Sequence, residues 1–84
     1  VSHAKKTWDV RFDEGQHIVD LNHGEALGRV RISVDGEQVV DERTSSSADF
    51  RFHIAGRSAV VRIKQELLGF QHDYALVVEG QAIP

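Results

Sequence analysis

Eighty-four residues make one domain and are too few for two, and with no cysteine in the chain neither a disulfide staple nor a thiolate zinc site is available. Val, Ile, Leu and Phe supply 25 of the 84 residues, well above the level of a disordered chain. The net charge of −3 argues against a surface built to hold nucleic-acid phosphates, no apolar run approaches the ~20 residues that span a bilayer, and no signal peptide is read.

Residues 1–6 read as a disordered tail or the remnant of a tag, leaving 7–84 as one β-domain. From Trp8 onward apolar residues alternate with polar ones, the period of a half-buried strand. Trp8, Val10 and Phe12 form the first such face, and Asp13-Glu14-Gly15 turns the chain. His17, Val19 and Leu21 then share a face opposite Ile18, Asp20 and Asn22. His23-Gly24 ends that strand and Glu25 to Gly28 form a loop. Val30, Ile32 and Val34 alternate with Arg29, Arg31 and Ser33. Asp35-Gly36 is the strongest hairpin signal in the chain, because a type I′ turn needs positive φ at both central residues.

The return strand runs from Glu37 to Asp41, and Arg43 to Ser47 read as a mobile polar loop. Phe50, Phe52 and Ile54 form the next face, Gly56-Arg57 the next turn, and Ala59, Val61 and Ile63 the face after it. Glu66 to Gly69 fit either one helical turn or a loop. Tyr74, Leu76 and Val78 complete a seventh strand. Val78-Glu79-Gly80 echoes Val34-Asp35-Gly36, so a further turn opens at Gly80, followed by a very short return strand before Pro84. No stretch holds a helical period for the ~10 residues a core helix needs. The fold class is therefore all-β, an antiparallel β-sandwich of about seven to eight strands joined mainly by hairpins.

Chemistry-bearing patterns are sparse. Of the histidines, His17 and His23 stand roughly 20 Å apart if their strand is straight, at ~3.3 Å per residue. No His-x-His or His-x₃-His pair exists, so structural or surface roles fit better than metal ligation. Ser45, Ser46 and Ser47 have no partner base in view, and Asp13-Glu14, Asp41-Glu42 and Glu66 fall in turns or at strand ends as solubilising charge. No catalytic residue, cofactor or metal site is assigned. What remains is a cationic stripe: Arg29, Arg31, Arg51, Arg62 and Lys64 take outward parity on three strands. On a single sheet they would form an interaction face for an acidic partner; carboxylates from neighbouring strands would make the same residues an ordinary solvated face. Ile18, Val60, Ala75 and Val77 also carry outward parity.

In order along the chain, Trp8-Asp9-Val10, Gly15, His17, Val19, Leu21, His23-Gly24, Val34-Asp35-Gly36, Phe50 and Phe52 resemble the Fas apoptotic inhibitory molecule family. The likeness continues through Gly69, Phe70, Tyr74, Leu76, Val78 and Gly80, with His72 at an aromatic position of the family pattern. It covers about Trp8 to Gly80. The resemblance implies that 7–84 is a compact antiparallel β-sandwich of that family without enzymatic activity. Animal members of the family oppose death-receptor apoptosis through protein contacts and are linked to protection against protein aggregation. They carry two such domains where this chain carries one, and the segment from Asp41 to Asp49 departs from theirs. The implied function is a non-catalytic protein-interaction module in the cytoplasm, with a protein partner or a second copy of the chain to bind and with no nucleic acid or membrane. The alternative is a small ligand- or metal-binding β-domain using His17, His23 or His53.

Overall fold

The computed structural model describes residues 3–24, 28–44, 47–65 and 72–84. Its regular elements are β1 (His3–Phe12), β2 (Gly15–Gly24), β3 (Arg29–Val34), β4 (Glu37–Arg43), β5 (Ala48–Ile54), β6 (Arg57–Gln65), β7 (His72–Val78) and β8 (Gln81–Ile83). The chain divides into two compact units, Val1–Thr44 and Ser45–Pro84. Each holds one four-stranded antiparallel sheet, in the order β1-β2-β3-β4 and β5-β6-β7-β8. Eight strands in two antiparallel sheets are the strand content expected of a β-sandwich, and the class is all-β. Among the described residues no helix is long and apolar enough to cross a membrane.

Alternation decides which face of each strand is buried. In the first unit Trp8 and Val10, Val19, Leu21 and His23, Val30 and Ile32, and Val40 are all buried. Pairing aligns Leu21 with Ile32 and Ile32 with Val40, so branched side chains form a continuous row across the sheet. The second unit repeats the device: Phe50, Val61, Leu76 and Ile83 stand in one row across all four strands. In the next row Phe52 faces the small Ala59, which leaves room for the ring. Each fully buried Leu or Ile here contributes about 1.5–3 kcal/mol of hydrophobic stabilisation.

Three connections are two-residue turns with both central residues at positive φ: Asp35-Gly36 (52° and 84°), Ala55-Gly56 (49° and 80°) and Glu79-Gly80 (48° and 83°). This is the I′ geometry, whose twist matches that of the flanking strands. The middle turn lies one residue earlier than the Gly56-Arg57 read from the sequence, because Arg57 already pairs with Ile54. The turn at Gly80 is followed by a return strand of three residues.

Two further sequence expectations need correction. Residues 3–6 are not a tail: His3 to Lys6 pair with Gly24 to Leu21 and belong to β1. They lack apolar alternation, and the backbone of the ten-residue β2 supplies the order instead. Strand β4 continues to Arg43, so only Thr44 and Ser47 of the expected polar loop are described outside strands. Ser45 and Ser46, the loop at 25–27 and the helical turn or loop at 66–69 lie outside the described residues. In β4, Val39 is skipped between the pairs Ser33–Gln38 and Ile32–Val40. This bulge leaves Val39 40% exposed on an edge strand, where a break in the ladder discourages pairing with another chain.

Gly28 closes the first unit. It lies at φ 67°, donates to the Gly24 carbonyl at 2.7 Å and accepts from the Thr44 amide at 2.7 Å. A Cβ at this position would collide with the Thr44 carbonyl. Replacing Gly28 by Ala is expected to cost about 1–3 kcal/mol or more, measured as a lower urea midpoint. Ala55→Asn is expected to shift the midpoint the other way, by about 0.5–1 kcal/mol, since Asn tolerates positive φ better than Ala.

Candidate functional site

The β3–β4 turn is clasped to β2. The Asp35 amide donates to the Ile18 carbonyl at 2.8 Å, and the Ile18 amide donates to Asp35 Oδ1 at 2.9 Å. In an uninterrupted ladder the second bond would end on a main-chain carbonyl; here the carboxylate takes its place. The other carboxylate oxygen, Oδ2, lies 2.7 Å from His17 Nδ1. The His17 ring also packs at a tilt on Phe12, with centroids 5.7 Å apart. The His17 hydrogen bond, and after it the Ile18 amide, hold the Asp35 carboxyl below its usual value of 3.8.

Apart from the half-buried Ile18, the outward face of the first sheet is mainly polar among the described residues. Thr7 Oγ1 donates to Asp20 Oδ1 at 2.7 Å, and Asp9 accepts from Gln16 Nε2 at 2.7 Å and from Arg11 Nη2 at 3.1 Å. Farther along the sheet, Arg29 holds Asp41 in a fork, Nε to Oδ1 at 3.0 Å and Nη2 to Oδ2 at 2.8 Å. That fork is the main reason the Asp41 carboxyl is held down, and the charges of Arg31 and Arg43 add to it. In the second sheet Arg62 Nε approaches Asp49 Oδ2 at 3.8 Å, and Lys64 stands opposite Asp73 in the register.

The five cations read as one stripe are therefore not on one sheet. Arg29 and Arg31 lie on β3 in the first unit, whereas Arg51 on β5 and Arg62 and Lys64 on β6 lie in the second. Parity along a strand places a side chain on a face but does not say which strands are neighbours. Carboxylates interleave with both groups, as expected of a solvated face. Sequence reading missed Arg43 and Lys5, because both were assigned outside strands; a β4 extended by two residues would have revealed Arg43. Of the outward apolar residues, Val60 is buried and stands between Arg51 and Val77, Ile18 and Val77 are half-buried, and Ala75 is exposed.

The histidines are dispersed. His23 is 2% exposed, His17 is engaged by Asp35, and His53 is exposed on β5. His72 stacks on Tyr74 with centroids 6.3 Å apart. Among the described residues no three His, Asp or Glu side chains are grouped to hold a metal ion. A depression of about 380 Å³ lies at the β1–β2 turn, lined by the consecutive residues Arg11 to Gln16.

The family model of Fas apoptotic inhibitory molecule (FAIM1) matches residues 4–83. This chain belongs to that family. It is 25% identical over 80 residues to Fas apoptotic inhibitory molecule 1 of Homo sapiens and to that of Mus musculus, an alignment covering 90% of this chain and 44% of each relative. The protein of the same name from Bos taurus is also 25% identical over 80 residues, covering 39% of its length. The chain thus spans less than half the length of these curated relatives. Most residues that carry the family likeness are folding residues. Trp8, Val10, Val19, Leu21, His23, Phe50, Phe52, Leu76 and Val78 are buried. Asp35, Gly36 and Gly80 make turns, while Gly69 and Phe70 lie outside the described residues.

The clasp has a pH consequence. A carboxyl whose folded value is depressed contributes stability that is complete above its unfolded value and is lost as pH falls through the folded one. Asp35→Asn keeps an acceptor for the Ile18 amide but loses the charge beside His17. The variant is expected to be less stable than wild type at pH 7, with the gap closing as pH falls below the usual 3.8 of an aspartate. Urea midpoints at several pH values measure this; a gap that stays constant down to acid pH would show that the charge contributes nothing.

Proposed function

We propose that this chain is a non-catalytic protein-interaction module of the Fas apoptotic inhibitory molecule family, acting in the cytoplasm through contact with a protein partner. The observation that carries this reading is the family match across residues 4–83, with relatives whose name describes inhibition of Fas apoptosis. The residues behind the likeness are spent on core and turns, so the fold is what is shared and action lies on exposed surface. The titratable side chains are dispersed over the polar faces of two sheets, in solvated ion pairs such as Arg11–Asp9 and Arg62–Asp49. Surface of that kind suits recognition, since general acid–base chemistry calls for groups positioned together with matched pKa values.

The test uses the chain as bait together with sedimentation across a concentration series. The expected result is selective recovery of a partner, or a rise in mass with concentration if a second copy fills that role. A chain that stays monomeric and recovers nothing would overturn the reading.

A further inference from the structure

One end of the first sheet's outward face gathers cations from three strands. The register puts Lys5, Asn22, Arg31 and Asp41 in one row across β1, β2, β3 and β4. In the adjoining row Arg29 stands directly opposite Arg43. All of these share the outward parity of alternating strands. Asp41 is the single carboxylate in the two rows, and the fork from Arg29 already occupies both its oxygens. Lys5, Arg31 and Arg43 are exposed and form no side-chain hydrogen bond or ion pair among the described residues. Like charges directly opposite one another destabilise a sheet, so the Arg29–Arg43 pair has a cost that a bound anion would relieve. The result is a local cationic surface on a chain whose net charge is −3.

We propose that Lys5, Arg31 and Arg43, arranged around the Arg29–Asp41 fork, form a docking surface for an acidic polypeptide segment of a partner protein. This rests on the reading of the chain as an interaction module and names the surface and the partner chemistry. The Arg29–Asp41 fork is a carboxylate already held on this face, the contact that a partner's Asp or Glu would repeat with Arg31 and Arg43. Neighbouring strands lie ~4.8 Å apart, so Arg31 starts roughly 8–10 Å from both Lys5 and Arg43 at the backbone, and Lys5 starts roughly 16 Å from Arg43. Side chains two or three residues apart on an extended peptide, at ~3.3 Å per residue, cover the shorter of these spans. One small anion reaches fewer of these cations than a segment with several carboxylates. The patch combines the Arg29 and Arg31 seen in the sequence with Lys5 and Arg43, which reach it only through β1 and β4.

The probe is a fluorescently labelled decaglutamate peptide, titrated with the whole chain and read by anisotropy at about 50 mM and about 300 mM salt, where screening differs strongly. Binding is expected at low salt and weakened at high salt. The double variant Arg31→Glu/Arg43→Glu is expected to weaken it about tenfold or more, because it removes two cations and adds two repelling charges. Arg51→Glu/Lys64→Glu makes the same change in net charge on the second unit and is expected to leave binding unchanged. Thermal melts establish that each variant is folded, and Arg31→Gln/Arg43→Gln replaces the first pair if Glu prevents folding. Absence of binding at low salt, or equal loss in both double variants, would overturn the proposal. So would tighter binding to a single-stranded oligonucleotide or to vesicles containing phosphatidylserine, run in parallel. If wild type and the Arg31/Arg43 variant recover the same partner as bait, the patch is wrong and the interaction reading stands. If the wild type neither binds the peptide nor recovers a partner, both fall.

Discussion

A two-residue I′ turn fixes how the strands pair beside it, and three of them set the register where β3 meets β4, β5 meets β6 and β7 meets β8. Val34 is opposite Glu37 because only Asp35 and Gly36 separate them, and Val78 is opposite Gln81 for the same reason. Once pairing is set, alternation sends every second side chain to the buried face, and a slip of one residue would expose the whole apolar set. The Phe50–Val61 and Leu76–Ile83 pairs follow from that constraint, whereas Ile32 meets Val40 because the bulge at Val39 shifts the register by one residue. Asp35 reinforces it by adding a side-chain acceptor where its turn withdraws a main-chain one.

The same register organises the charge. Side chains that share a face meet neighbours dictated by pairing, which produces the Thr7–Asp20 bond directly across β1 and β2 and the Arg29–Asp41 fork diagonally across β3 and β4. It also sets Arg29 directly opposite Arg43, with Asp41 in the next row opposite Arg31. Burial on one face of each sheet and a largely polar opposite face, with Ile18, Val60 and Val77 as apolar exceptions, separate two kinds of selection. The buried face is constrained by packing, and the exposed face is under no such constraint.

This separation explains why family membership says more about fold than about action. The residues on which the resemblance was read are mostly turn formers and core apolars, together with His23 in the core and His17 bonded to the turn aspartate. A chain that is 25% identical to its relatives can keep all of these while its exposed face diverges. Of the histidines named for the ligand-binding alternative, His17 sits beside Phe12 and Asp35, His23 is buried and His53 is exposed on β5.

By itself the sequence determined the all-β class, the alternation from Trp8 to Phe12 and along β2, β3, β5 and β7, the turns at Asp35-Gly36 and Gly80 and the family. These are local properties, written in period-two patterns and in residues that accept positive φ. Only the tertiary structure decided which strands are neighbours. Pairing drew His3 to Lys6 into β1, extended β4 to Arg43 and put Arg29 and Arg31 in a different sheet from Arg51, Arg62 and Lys64. The candidate site moved accordingly, from a stripe on three strands to a cluster around Asp41. Backbone hydrogen bonding between strands leaves no mark in the side chains, so a polar strand and a charged patch assembled across strands become visible only once the sheet is formed.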